Sequence, residues 1–269
     1  MKRSMVLVVW SLLSMNAAAD GPRGRPVIDA AFGFNTILTD QHTRLRGVSL
    51  SWDGGDPYGS QPKVIPSSVQ LQRLAESFGL NTIHVYLEGN ASQNPNPVGV
   101  NLLDADALVA ATRSAGLYLI LTIGCNGENG SIHSMDFARD FWSLYAPRYK
   151  DETHVIFEAH NEPALYTPSQ WTVQDWNRQV ELYHHIRDRA PDSLILLGSF
   201  MGFAGDPTFG INFLAANGVG WDNCGLAHHG YESKAGIEST IESVQSGPNK
   251  PALLNTEFWP GDTEGQGYN

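Results

Sequence analysis

Apolar, strand-forming runs return along this chain roughly every 30 to 40 residues, and each interval carries a helical pattern, the signature of parallel βα units. The runs are Arg44 to Ser51, Asn81 to Leu87, Leu117 to Ile123, His154 to Phe157, Ser193 to Gly198, Gly225 to Gly230 and Ala252 to Phe258. Between them, Leu71, Leu74, Ala75 and Phe78 fall at helical spacing after a Ser67/Ser68 cap and before Gly79. A second helix runs from about Asp104 to Ala115 and stops at Gly116, and a third is marked by Phe137, Phe141, Leu144 and Tyr145, with Pro147 ending or kinking it. Trp176, Val180, Tyr183 and Ile186 mark a fourth, closed by Ala190-Pro191; a short helix follows near Ile211 to Ala216, and Ile237, Ile241 and Val244 mark another.

The expected architecture is α/β, a (β/α)8 barrel. Seven strands are countable where a closed barrel needs eight, and the residues after Phe258 are Gly-rich and polar. The barrel is therefore expected to be incomplete at its C-terminal eighth strand, leaving an edge that proteins normally cover. An earlier run, Phe32 to Leu38, is joined to Arg44 to Ser51 by Thr39-Asp40-Gln41-His42, a link that allows only antiparallel pairing. It reads as an N-terminal β-hairpin arm lying outside the sheet.

Met1 to Ala19 reads as a secretory signal peptide: Lys2 and Arg3, an apolar run from Val6 to Leu13, then the small residues Ala17 to Ala19. Residues 20–269 would form one domain, secreted to the extracellular space or the periplasm and acting as a monomer. Cleavage leaves 15 basic against 28 acidic residues, a charge of −13. Such a surface repels nucleic acid and anionic membranes and suits a neutral substrate. Cys125 and Cys224 fall at opposite ends of their strands and are expected to be unpaired thiols. Asn90-Ala91-Ser92 and Asn129-Gly130-Ser131 are glycan acceptors if the secretory route is eukaryotic.

The chemistry concentrates where strands end. His154-Val155-Ile156-Phe157-Glu158-Ala159-His160-Asn161-Glu162-Pro163 begins as a buried strand and gives out at Asn-Glu-Pro, because Pro163 lacks the amide for a further ladder bond. Glu162 thus stands at the end of the sheet where barrel active sites sit. Glu257, in Leu253-Leu254-Asn255-Thr256-Glu257-Phe258, stands at another strand end, across the mouth. Two carboxyls facing over a cleft can split a glycosidic bond, one protonating the departing oxygen and the other attacking the anomeric carbon or activating water. Taken alone, Glu257 reads better as a strand-end carboxylate in solvent. His228-His229-Gly230-Tyr231 ends the sixth run; alternation puts His229 and Tyr231 on one face, where a Tyr hydroxyl could hold a carboxylate ionised. The two histidines could also be metal ligands, but no neighbouring residue supplies the rest of a site, so no metal and no organic cofactor is implied.

With these pieces in view, the chain resembles the cellulase-type glycoside hydrolases of family 5, a clan of retaining (β/α)8 glycosidases. The resemblance rests on Leu45 to Leu50, Leu80 to Val85, Phe141 to Lys150 leading into Val155 to Pro163, His229-Gly230-Tyr231, and Pro251 to Phe258, in that order. It implies Glu162 as acid/base, Glu257 as nucleophile, Asn161 as donor to the sugar 2-hydroxyl, and His229 and Tyr231 as supports. Three departures stand out. His84 occupies the place of the family's arginine, Ile123-Gly124-Cys125-Asn126 lacks the family's histidine, and the aromatic platform of the eighth strand is absent. Trp259 could stack on a sugar ring instead; Trp52, Tyr86 and Trp171 could do so or simply pack. The parity of His84 sets it with Tyr86 and Glu88, lining the floor. The expected function is secreted, retaining hydrolysis of a neutral β-linked glycan of glucan or mannan type, an endo-β-glycanase resembling cellulases. A catalytically impaired carbohydrate-binding relative of the same fold is the alternative. Other barrel chemistry finds no phosphate-gripping loop.

Overall fold

The computed structural model describes residues 23–30, 33–50, 65–89, 97–124, 134–163, 170–201, 207–231 and 233–258. Nine strands and six helices are defined among them: β1 Val27–Asp29, β2 Thr36–Leu38, β3 Gly47–Leu50, α1 Ser68–Phe78, β4 Thr82–Gly89, α2 Leu102–Ala115, β5 Tyr118–Gly124, α3 Met135–Tyr149 and β6 Val155–Glu158. The chain continues through α4 Val173–Arg187, β7 Ile195–Met201, α5 Thr208–Ala216, β8 Cys224–Gly230, α6 Lys234–Ser246 and β9 Ala252–Phe258. The strands form one sheet in the order β1-β2-β9-β8-β7-β6-β5-β4-β3, and every neighbouring pair from β3 through β9 is parallel. Among the described residues this is a βα barrel wall of seven parallel strands, β3 to β9, with no eighth wall strand joining β9 to β3.

The helix boundaries follow from local chemistry. Ser67 caps α1 in a capping box with Gln70, and Gly79 ends it in the left-handed region at φ 66°. Thr172 and Asp175 make the same reciprocal cap on α4. Helix α3 runs through Pro147 to Tyr149 rather than ending there. A proline in a helix costs about 3 kcal/mol, and burial of Phe141, Trp142 and Tyr145, each contributing about 1.5–3 kcal/mol, outweighs it.

Two cores result. The larger lies between the sheet and the helices and includes Leu71, Leu108, Trp142, Phe157, Ile186 and Leu214. The smaller fills the inside of the curl with Ile37, Tyr118, Ile120, Ile156, Leu196 and Ala252.

Ile37 brings a correction. The run from Phe32 to Leu38 is not outside the sheet: its strand β2 pairs antiparallel with β1 and parallel with β9, through Thr36 and Leu253. Leu38 also bridges Arg44 in the antiparallel sense the short link requires. The hairpin exists, but its apolar face is needed inside the curl, so it closes the lower part of the gap between β9 and β3. Tyr118 fastens it there, its hydroxyl accepting from the Asp40 backbone N–H at 2.8 Å and lying 3.0 Å from Gly24 O. Between β3 and β9 lies a cavity of about 940 Å³, its lining including Leu45, Leu80, Ile120, Leu254 and Glu257.

Cys224 opens β8 as a buried free thiol, its pKa pushed up to about 12 by burial. Cys125, Asn129, Asn90, Trp52, Trp259 and the leader lie outside the described residues.

Candidate active site

Glu162 is carried just beyond β6 by backbone bonds that extend the strand's course. The Ala159 N–H donates to Leu196 O at 2.9 Å, the Asn161 N–H to Ile123 O at 3.3 Å, and the Trp142 indole N–H to Ala159 O at 2.8 Å. Glu162 itself sits at φ 42°, a left-handed conformation uncommon for a residue other than glycine. The surroundings impose it, and such local strain concentrates at functional sites.

Glu257 is brought to meet it by the register of β8 and β9. The pairing runs His228 to Asn255 and then His229 to Glu257, so Thr256 is the extra residue of a bulge. That shift sets Glu257 directly beside His229. Gly230 permits the close approach, because a Cβ there would lie 2.3 Å from Asn255 Nδ2.

One imidazole nitrogen then joins the two acids. His229 Nδ1 is 2.9 Å from Glu162 Oε1 and 2.8 Å from Glu257 Oε2. The nitrogen and one oxygen from each carboxylate all lie within 4.8 Å of one another. His229 is wholly buried, while the side chains of Glu162 and Glu257 keep 13% and 26% of their exposure, enough to meet a ligand. Tyr86 donates to Glu257 Oε1 at 2.7 Å, and Tyr231 also hydrogen-bonds this carboxylate.

The electrostatics follow. Burial pushes the Glu257 carboxyl up, but His229, Tyr86 and Tyr231 more than offset it and hold it down at about 2. Burial pulls His229 down, yet the hydrogen bonds to Glu162 and Glu257 and the charges of Glu257 and Glu158 raise it to about 10. His229 is therefore an imidazolium at neutral pH. Glu162, His229 and Glu257 also have ligand-like spacing. Tyr86 is pushed far above the usual phenol range by burial and by Glu257, so it stays a donor.

Below this layer lies a second carboxylate. Glu158 is fully buried, accepts from the Ser199 hydroxyl, and lies 3.0 Å from His84 Nε2 and 4.0 Å from His229 Nε2. Ser199 reaches it because β7 bulges between Gly198 and Phe200, with Ser199 in the left-handed region at φ 61°.

The structure thus gathers Glu162, Glu257, His229, Tyr231 and His84 in one place. Asn161 is buried beside Glu162, its Oδ1 without a hydrogen-bond partner among the described residues. Trp171 packs on Trp176 with ring centroids 4.6 Å apart, as a core residue. Glu158, Ser199 and the hydrogen bond of Tyr86 to Glu257 were missed in the sequence. Glu158 shares its strand with Glu162, a visible signal, but a carboxylate within an apolar strand gives no hint of which imidazoles surround it.

The model of the Cellulase (glycosyl hydrolase family 5) family matches residues 36–250. The chain belongs to glycosyl hydrolase family 5. It is a glycoside hydrolase by that membership, and its incomplete barrel is a family 5 fold. The family match ends seven residues before Glu257, which the structure alone brings to the site. No curated protein matches the chain. Among solved structures, the catalytic domain of Thermobifida fusca endoglucanase Cel5A is similar at TM-score 0.59 and 20% identity, over 90% of this chain and 77% of that one. A thermostable, halotolerant family 5 cellulase from an Icelandic hot spring isolate superposes at TM-score 0.63 and 19% identity, over 91% and 75%. XacCel5A, solved with cellopentaose, does so at 0.57 and 18%, over 81% and 79%.

Proposed function

We propose that this family 5 chain is a secreted retaining β-glycosidase acting on a neutral β-linked glycan, with Glu162 as acid/base and Glu257 as nucleophile. The observation that carries this reading is the shared contact of both carboxylates with His229 Nδ1. Carboxyls held so closely suit direct attack, which needs about 5–5.5 Å between them, better than the roughly 6.5–9.5 Å that leaves room for an inverting water. In the first step an oxygen of Glu257 bonds to the anomeric carbon as the glycosidic C–O bond breaks, and the Glu162 proton passes to the departing oxygen. In the second, Glu162 takes a proton from water, whose oxygen bonds to the same carbon and frees Glu257. The configuration is kept. Asn161 is the amide for the sugar 2-hydroxyl, and Tyr86 supplies to Glu257 the donor expected from the family's arginine.

A cello-oligosaccharide is the first substrate to try, since a similar structure holds cellopentaose. The formal charge of −11 for the whole chain favours an uncharged glycan. Export rests on the leader from Met1 to Ala19, and a mature protein starting at Asp20 by N-terminal sequencing would support it. Purified protein should release reducing ends from β-glucan or mannan, with the β-anomer appearing first by proton NMR. Glu257→Gln and Glu162→Gln should each fall to background on the polysaccharide. An α-anomer as first product, or full activity in Glu257→Gln, would overturn the assignment. Binding without release would favour the impaired carbohydrate-binding alternative, which the open wall beside Glu257 and the His84 substitution motivate.

A further inference from the structure

Beneath the two acids, the three strands β4, β6 and β8 each contribute one ionisable group to a buried cluster: His84, Glu158 and His229. We propose that Glu158 is a positioning residue which, through the imidazoles of His84 and His229, keeps a positive charge beneath the Glu162–Glu257 pair. The inference rests on the reading of those two glutamates as the catalytic pair, and deepens it.

The argument begins with solvation. Glu158 has no exposed surface, and an ionised carboxylate without water is costly unless counter-charges surround it. Its neighbours are imidazoles and a hydroxyl: Oε2 lies 3.0 Å from His84 Nε2, and Oε1 lies 4.0 Å from His229 Nε2 while accepting from Ser199. Neither of those ring nitrogens has a hydrogen-bond partner of good geometry among the described residues. The tie of His229 to Glu158 is therefore mainly one of charge. The carboxylate is held below its ordinary range: burial pushes it up, but His84, His229 and Ser199 outweigh that.

His229 transmits the effect. One face of its ring looks to Glu158 through Nε2, and the other carries the Nδ1–H shared by Glu162 and Glu257. The titratable groups facing it are Glu158 and Glu162 from β6 and its extension, Glu257 from β9, and Tyr231 from its own strand at a ring separation of 6.3 Å. Tyr86 and His84, from β4, reach the cluster through Glu257 and Glu158. With only the two upper acids as partners, the imidazolium would weaken whenever one became neutral, as both must during a double displacement. Glu158 touches no substrate-facing atom and keeps its charge through both steps. The chain thus replaces one family arginine with two residues of β4, His84 anchored on Glu158 and Tyr86 bonded to Glu257.

The test is histidine-labelled ¹⁵N NMR of the full chain, with a His229→Asn sample to assign the ring signals. In the native protein His229 should show both ring nitrogens protonated at pH 7.5. In Glu158→Gln, which keeps size and the Ser199 contact, its titration midpoint should fall by one unit or more. The same variant should lose tenfold or more in kcat on a soluble β-glucan with KM within twofold. Glu158→Asp should recover part of both. A neutral His229 in the native protein, or an unmoved midpoint in folded Glu158→Gln, would overturn the proposal. If Glu158→Gln does not fold, the His229 midpoint in Glu158→Asp decides, and an unmoved one overturns the proposal. Because the NMR readout needs no substrate, a chain that shows these shifts but hydrolyses nothing would refute the glycosidase reading and leave the role of Glu158 in place.

Discussion

Because one imidazole N–H faces two carboxylates, it can satisfy only one of them fully at a time, and it favours whichever is charged. That places the burden of holding Glu257 ionised partly on Tyr86. Tyr86→Phe removes one hydrogen bond to a charged group, worth about 1.5–3 kcal/mol, so kcat should fall roughly 10- to 100-fold with little change in KM. Steady-state kinetics on an aryl β-glycoside would check it. The same groups set a pH dependence of stability. Glu257 is depressed to about 2 from 4.5, so its contribution is complete above pH 4.5 and is lost as pH falls toward 2. His229 is raised from 6.5 to about 10, so its contribution is complete below pH 6.5 and is lost as pH rises through 10. Urea unfolding across pH should show the site's stabilisation peaking between these limits, and His229→Asn should flatten the alkaline fall. Glu162 and Glu257 could be picked from the sequence only because each strand-end glutamate falls within a run that resembles family 5. Glu158 could not, since its importance comes from contacts 41 and 74 residues away along the chain, Ser199 and His84.

At the level of elements, strands and helices were legible wherever periodicity reflects burial on a regular surface. The run from Leu117 to Ile123 is buried throughout as β5 of a parallel wall, and Gly116 and Gly79 do end their helices in the left-handed region. Local rules failed where tertiary packing overrode them, as in β2. Glycine shows the same conflict within α5. Gly210 lies in a helix, where alanine usually gains about 1 kcal/mol. Here an added Cβ would lie 2.1 Å from Trp176 Cζ2, and Trp176 is itself pinned against Trp171. Gly210→Ala should therefore destabilise, by about 1–3 kcal/mol, and a lower urea midpoint with an unchanged slope would show it.

At the scale of the whole molecule, the decisive feature among the described residues is the gap between β9 and β3. The hairpin closes its lower part, while Val48 and Phe258 remain 42% and 61% exposed above it. Amides of Val48 to Leu50 should exchange with deuterium at least tenfold faster than those of Tyr118 to Gly124, which lie in the centre of the sheet. Equal protection would mean that something covers the β3 edge in solution. The count of seven parallel runs and the helices between them were determined by the sequence alone, because hydrophobic periodicity records which residues must be hidden. Only the tertiary structure decided that β2 enters the sheet, that a bulge at Thr256 sets Glu257 against His229, and that Glu158 lies beneath both acids. Those outcomes depend on register and on distances between residues far apart in the chain, which no local pattern encodes.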